Sequence, residues 1–188
     1  MYDRMPREMR LPTGELLRPF GMDDLDQLVE VVNGNLEHLR PWMPWAQEPA
    51  TPEAETEFLT ASARNWAEQT DFVWGIFAGG AILGGIGLHT RRGPGVLEIG
   101  YWLRADAQGR GLITAATRMM AELAASYDEV GEVVICCDEG NVRSAAVPQR
   151  LGFTLFAVEQ REPLAAGETG WHQIWTMPSV VIRAGWSL

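Results

Sequence analysis

The sequence predicts an α+β fold built on one mixed sheet of about six to seven strands. Three observations carry this. Strand and helix patterns follow one another without strict alternation. An apolar strand pattern at 96–103 runs into Gln108-Gly109-Arg110-Gly111, and an alanine-rich helix pattern follows at once. No internal repeat, low-complexity tract or linker divides the 188 residues, so a single domain spanning 1–188 is expected.

The elements are read in order. Residues 15–20 form a first strand, placed at an edge by Pro19. Asp23 and Asp24 start a helix whose apolar positions are Leu25, Leu28, Val29 and Val32, with Gly34 as its stop. Residues 39–45 carry too many prolines for a helix interior. Thr51 caps a second helix with Pro52 at its first position, and Phe58, Leu59, Ala63 and Trp66 form its apolar face. Strands at 72–77 and 82–88 flank the turn Gly79-Gly80. In the strand at 96–103, Val96, Glu98, Gly100 and Trp102 share one face, and Leu97, Ile99, Tyr101 and Leu103 the other. Leu112, Ala116, Met119, Met120 and Leu123 mark the buried face of the next helix. A strand at 133–137, a helix at 142–151 and strands at 153–158 and 173–177 complete the chain.

The strand–glycine–helix junction exposes unpaired amides at the positive end of a helix dipole, which seats a phosphate. The dinucleotide fingerprint is excluded, because Gly109-Arg110-Gly111-Leu112-Ile113-Thr114 lacks its third glycine. No Walker A run occurs. What remains is Gln-x-x-Gly-x-Ile at Gln108, Gly111 and Ile113, which by itself also fits a plain strand–helix turn. A second segment narrows the choice: Asn141-Val142-Arg143-Ser144, six further residues, then Leu151-Gly152-Phe153.

With these two motifs in this order, the chain resembles the GNAT (Gcn5-related) N-acetyltransferases, and within them the RimJ/RimL type that acetylates N-terminal amines of ribosomal proteins. The resemblance spans about Leu16 to Trp175 and is densest from Glu98 to Phe153. It implies the GNAT fold, in which two central strands splay to admit a pantetheine arm. It implies acetyl-CoA as co-substrate, with its pyrophosphate on the backbone of Gln108, Gly109, Arg110, Gly111, Leu112, Ile113 and Thr114. Arg104 and Arg110 lie near enough to add charge, or are simply solvated. Ile113, where the family usually has glycine or alanine, either crowds the loop or faces the core.

The same resemblance assigns the remaining roles. Tyr101, Trp102 and Leu103 would pair with the pantetheine amides through their backbone, as an added strand does. Asn141 is read as a pantetheine contact, with a plain helix N-cap as the alternative. Ser144 would hydrogen-bond the departing sulfur. Pro148 cannot donate to the Ser144 carbonyl four residues back, which leaves that carbonyl free. Glu162 and Glu98 are the candidate general bases. Trp42 and Trp45 would wall the acceptor site, with His172 in the late strand beside it.

Composition bounds the function. Hydrophobic content of 46% and charged content of 21% are ordinary for a globular protein. No apolar run approaches the ~20 residues of a membrane span, and the first ten residues hold no apolar signal core, so a cytoplasmic protein is expected. A net charge of −10 argues against a nucleic-acid surface and suits a cationic acceptor. Cys136 and Cys137 are adjacent in a strand and face opposite sides, so neither a disulfide nor a metal site is expected. The reading is an acetyl-CoA-dependent N-acyltransferase acting by direct attack in a ternary complex, as monomer or homodimer. Its acceptor is a protein N-terminus, or alternatively a small cationic amine such as an antibiotic or polyamine. A coenzyme A-binding module without catalysis is the alternative from another class.

Overall fold

Alternating side chains along the strands bury apolar residues on both faces of one sheet. The computed structural model describes Tyr2 and residues 5–186. Among these, eight strands join in the order β1-β2-β3-β4-β5-β6-β8-β7. They are β1 (Met9–Arg10), β2 (Leu16–Arg18), β3 (Asp71–Ala78), β4 (Ala81–His89), β5 (Val96–Leu103), β6 (Glu132–Asp138), β7 (Thr154–Gln160) and β8 (Trp171–Pro178). Every neighbouring pair is antiparallel except β5 with β6. The helices are α1 (Leu25–Asn33), α2 (Leu36–Leu39), α3 (Pro52–Glu68), α4 (Leu112–Ala125), α5 (Val142–Arg150) and α6 (Ser179–Arg183).

The seven expected strands are present, and β1, α2 and α6 are additions. Elements of two to five residues carry no readable period. β1 also takes the sheet edge, so the strand before Pro19 lies one place further in than expected. Thr51 caps α3 as read, its Oγ1 accepting from the Ala54 amide. The buried face of α3 is Leu59, Ser62 and Trp66, while Phe58 and Ala63 are exposed. Its core contacts follow a three-then-four spacing from Leu59, which turns the two predicted residues outward.

One face of the sheet packs on α4 and α6 through Trp74, Leu97, Ile99, Met120, Ile135 and Trp175. Buried alanines at 116, 121, 124 and 125 let α4 lie close to the strands. The other face meets α1 and α3 through Phe20, Leu28, Val32, Leu59, Phe77 and Ile82, with Trp102 packed against them. β5 supplies both layers from alternate positions, as its sequence pattern requires.

The parallel pair is short. It runs from Val96 opposite Glu132 to Ile99 opposite Ile135 and then ends. Beyond it β5 continues to Leu103 on β4 alone, while Cys136, Cys137 and Asp138 pair with β8 alone. The sheet therefore opens between β5 and β6. The Arg104 amide donates to the Leu83 carbonyl of the β4 side at 2.8 Å. By alternation, the Trp102 and Gly100 amides face β4, and those of Tyr101 and Leu103 face the opening.

A close backbone approach holds β4 against the open part of β5. A Cβ on Gly84 would fall on the Trp102 carbonyl oxygen and crowd Leu103. Gly84→Ala is expected to cost about 1–3 kcal/mol, lowering the melting midpoint by roughly 2–4 °C per kcal/mol. A thermal melt by circular dichroism measures it.

Candidate functional site

The β5–α4 junction has the geometry of an anion seat. Gly109 and Gly111 hold φ values of 75° and 73°, a left-handed conformation glycine adopts without strain. No heavy atom lies within 4 Å of a Cβ built at either position. The first helical hydrogen bond is from the Ala115 amide to the Gly111 carbonyl, and the amides of residues 109–114 donate to no described carbonyl. They line the N-terminus of α4, where the dipole favours negative charge. Leu112 is buried, and Ile113 packs against the core rather than crowding the loop.

Side chains around the junction brace it. Gln108 Nε2 donates to His38 Nε2 at 2.6 Å, and Gln108 Oε1 accepts from Arg143 at 2.6 Å. These bonds tie the loop to α2 and α5. Burial and then the Arg143 charge lower the His38 pKa, in keeping with a neutral ring that accepts from Gln108. Arg104 chelates Asp106 and Arg110 donates to the Asp106 carbonyl, so both cations stay beside the loop. His38 and Arg143 carry no sequence signal for this bracing, because α2 lies about seventy residues before the loop it holds (70 between His38 and Gln108).

The inner end of the opening is built by β5 and α5. Asn141 caps α5, its Oδ1 accepting from the Ser144 amide at 3.1 Å. The cap is thus the observed role of that oxygen. The carbonyl that Pro148 leaves without an amide partner accepts the Tyr101 hydroxyl at 3.1 Å. The same hydroxyl lies 3.2 Å from Ser144 Oγ. Burial raises the Tyr101 pKa, so the phenol stays protonated and able to donate. Burial likewise pushes the Cys137 thiol up to about 11.

Asp138 anchors the far wall. It accepts from the Gly140 amide at 2.9 Å, from the Thr169 amide and hydroxyl at 3.0 Å each, and from the Gly170 amide at 3.1 Å. Burial works to raise its pKa, but these donors hold it below the usual carboxylate range. The loop it holds reaches across to the 40–47 segment, where the Gly167 amide donates to the Pro41 carbonyl at 2.9 Å. A Cβ on Gly167 would meet Pro41 at 2.7 Å.

The opposite face of the opening has a glycine floor. Gly85, Gly87 and Gly100 share it, and Trp102 lies over Gly85. Trp45, half exposed, meets Trp102 edge-to-face at 5.8 Å, and Trp42 is half-buried nearby in sequence. Both oxygens of Glu98 are engaged, one by Arg91 and the other by Arg92 at 2.7 Å. Burial opposes its ionisation, but the two guanidiniums carry its pKa below the ordinary value. Arg92 also donates to Cys136, whose thiol burial pushes up to about 12. His172 Nδ1 is buried without a hydrogen-bond partner, and burial followed by the Arg161 charge lowers its pKa. Glu162 is exposed in the loop after β7. Among the described residues no cluster of His, Cys, Asp or Glu could hold a metal ion, and no helix is long and apolar enough to cross a membrane.

A parallel pair that parts beside an amide-lined helix start is the frame of an enzyme that transfers acyl groups from a phosphorylated carrier. The profile described as acetyltransferase (GNAT) domain matches residues 16–154, and the chain belongs to that family. Acetyl-CoA-dependent acyl transfer is its class of activity. YdaF of Bacillus subtilis (strain 168), provisionally named a ribosomal N-acetyltransferase, is 33% identical over 143 residues, covering 75% of this chain and 76% of YdaF. Among solved structures, the microcin C7 self-immunity acetyltransferase MccE, in complex with acetyl-CoA and AMP, superposes with a TM-score of 0.84 at 22% identity. That match covers 93% of this chain and 97% of MccE. RimL, a ribosomal L7/L12 alpha-N-protein acetyltransferase in complex with coenzyme A, gives 0.82 at 20% identity, over 91% and 97%. At these identities the two structures establish the shared fold.

Two outcomes test the site's construction. Tyr101→Phe strands the Ser144 carbonyl and is expected to cost about 1–3 kcal/mol, while lowering turnover more than cofactor affinity. Denaturant melts with steady-state kinetics check it. Asp138→Asn sets an amide group against four donors, with a similar expected cost at pH 7. The folded pKa of Asp138 is depressed, so its stabilisation is complete above the unfolded value of about 3.9 and is lost as pH falls through the folded one. The gap between wild type and Asp138→Asn in thermal melts should therefore narrow below about pH 4.

Proposed function

We propose that the chain moves acetyl from acetyl-CoA to the N-terminal α-amine of a protein or peptide by direct attack in a ternary complex. One observation carries this reading: the free amide row of residues 109–114 adjoins an opening between β5 and β6 at whose inner end Ser144 lies. The diphosphate sits on the amides, with Gly109 and Gly111 giving the backbone its close approach. The pantetheine arm follows the Tyr101 and Leu103 amides that face the opening. Ser144 donates to the sulfur as the carbon–sulfur bond breaks. Its hydroxyl is a far weaker acid than a thiol of pKa ~8.5, so it stabilises a thiolate without surrendering its proton.

The acceptor enters from the other face, over the glycine floor between Trp45, Trp102 and the β7–β8 loop. That floor leaves room for a peptide backbone, and aromatic walls with a rigid proline-rich segment suit a chain end. The names of YdaF and RimL as ribosomal acetyltransferases support an N-terminal amine. The net charge of −10 draws any cationic amine, so a small polyamine or antibiotic is the competing acceptor. Catalysis comes mainly from holding amine and carbonyl together. Glu98 is held anionic by two arginines, which makes it a weak proton acceptor, and Glu162 stands exposed in the loop after β7.

Thiol release with acetyl-CoA and a panel of serine- or alanine-starting peptides, polyamines and aminoglycosides tests the reading. Turnover on the peptides is expected; turnover confined to small amines would replace the acceptor. Ser144→Ala should lower kcat by about 10–100-fold with acetyl-CoA affinity little changed. Gly111→Val, forced into a left-handed conformation, should weaken acetyl-CoA binding by about 10–100-fold in calorimetry.

A further inference from the structure

The geometry points to His89, oriented by Asp71, as the base that takes the proton from the acceptor's ammonium; this rests on the acyl-transfer reading above. His89 ends β4 and stands directly opposite Asp71 on β3 and Glu98 on β5, all on the acceptor face. Its Nδ1 lies 2.9 Å from Asp71 Oδ1. A carboxylate can only accept, so Nδ1 carries the proton and the lone pair of the neutral ring is on Nε2. Asp71 is itself fixed, its other oxygen accepting from Asn65 of α3 at 3.5 Å.

Nε2 points where the chemistry would occur. A Cβ built on Gly100 would lie 3.2 Å from it, and one on Gly87 3.0 Å. The ring therefore leans along the glycine floor toward the opening. Gly100 is the first residue of β5 beyond the last parallel pair with β6, at Ile99. His89 and Trp102 thus flank the floor, one at each end. No described residue hydrogen-bonds Nε2. The side chain is 16% exposed, enough for an acceptor to reach but too enclosed to be an ordinary surface histidine.

The charges around the ring suit the task. Asp71 faces it from β3, and Glu98 from β5 with both oxygens on Arg91 and Arg92. The arginines keep Glu98 anionic and both its oxygens engaged, so it competes poorly for the proton. Asp71 stabilises the imidazolium once formed. The step balances as follows. Nε2 takes one proton from the ammonium, and the freed lone pair forms the N–C bond as the C–S bond breaks. The second amine proton goes to the coenzyme A sulfur, and His89 returns its own proton to water.

His89→Gln tests this, since a glutamine amide can still donate to Asp71. With a serine-starting peptide, or whichever panel amine wild type acetylates, kcat/KM at pH 7 should fall about 100-fold. Acetyl-CoA affinity should be unchanged. The deficit should shrink at pH 9, because an α-amine of pKa ~8 then arrives already neutral. Asp71→Asn should give a smaller deficit with the same pH dependence, and it carries the test alone if the glutamine variant does not fold. Activity within about twofold of wild type at pH 7, or a deficit equal at both pH values, overturns the assignment. A wild type that acetylates nothing in the panel overturns the acyl-transfer reading instead, and this assignment with it.

Discussion

Everything distinctive in this molecule follows from the point where β5 and β6 stop pairing. Four residues of each strand hold a parallel ladder, and then both strands turn to their other neighbours. Unpaired strand edges inside a sheet are costly unless something satisfies them. Here the cost is contained by supports on each side. Gly84 lets β4 close tightly on the free part of β5. Asp138 gathers four donors and fixes the end of β6 to the loop before β8. Tyr101, half-buried and reaching from β5 to α5, acts as a spacer that cannot collapse without losing its hydrogen bonds to Ser144. The opening is therefore a built feature that persists because its rims are bonded elsewhere.

The charges are segregated by the same opening. Arg104, Arg110 and Arg143 gather at the start of α4, the positive end of its dipole, while the chain as a whole is strongly acidic. A polyanionic carrier thus has one favourable approach. The acceptor face holds a more balanced set, in which Arg91 and Arg92 neutralise Glu98 and Arg161 pairs with Glu168. Cations approaching that face meet neither a strong repulsion nor a deep trap, which would suit the amine proposed to bind there and leave as an amide.

Local pattern in the sequence carried β2 to β8, α1, α4 and the glycine turn before α4, because period, glycine and capping residues act over a few positions. The two faces of β5 were legible residue by residue. The orphaned Ser144 carbonyl was legible too, from Pro148 alone, but the hydroxyl that meets it belongs to a residue 43 positions earlier. The same limit hid the Gln108 brace, whereas the arginines on Glu98 lie only seven and six positions before it, in a turn whose side-chain geometry has no sequence period. Glu98 illustrates the difficulty best: a carboxylate on the right strand face reads as a base, and only the folded turn after β4 shows its oxygens taken. The outward turn of Phe58 and Ala63 has a related origin, since the exact rotation of a helix over a sheet rim is decided by packing rather than by period.

A slit through a sheet lets two reactants meet without sharing a surface. In the proposed arrangement the carrier lies along the free edge of β5 on the side of α4 and α5, and the acceptor lies over the glycines on the side of α1 and α3. The two sites can then differ in charge and shape, because the only atoms they have in common are those at the end of the parallel pair. In the proposed reading, the residue acting on the leaving sulfur belongs to α5, and those acting on the amine belong to β3 and β4. On that arrangement, a change of acceptor would need altered side chains only on one face, through Trp45, Trp102, His172 and the β7–β8 loop. The bonds that hold the slit open, made by Tyr101, Asp138 and the backbone of β4, can stay as they are.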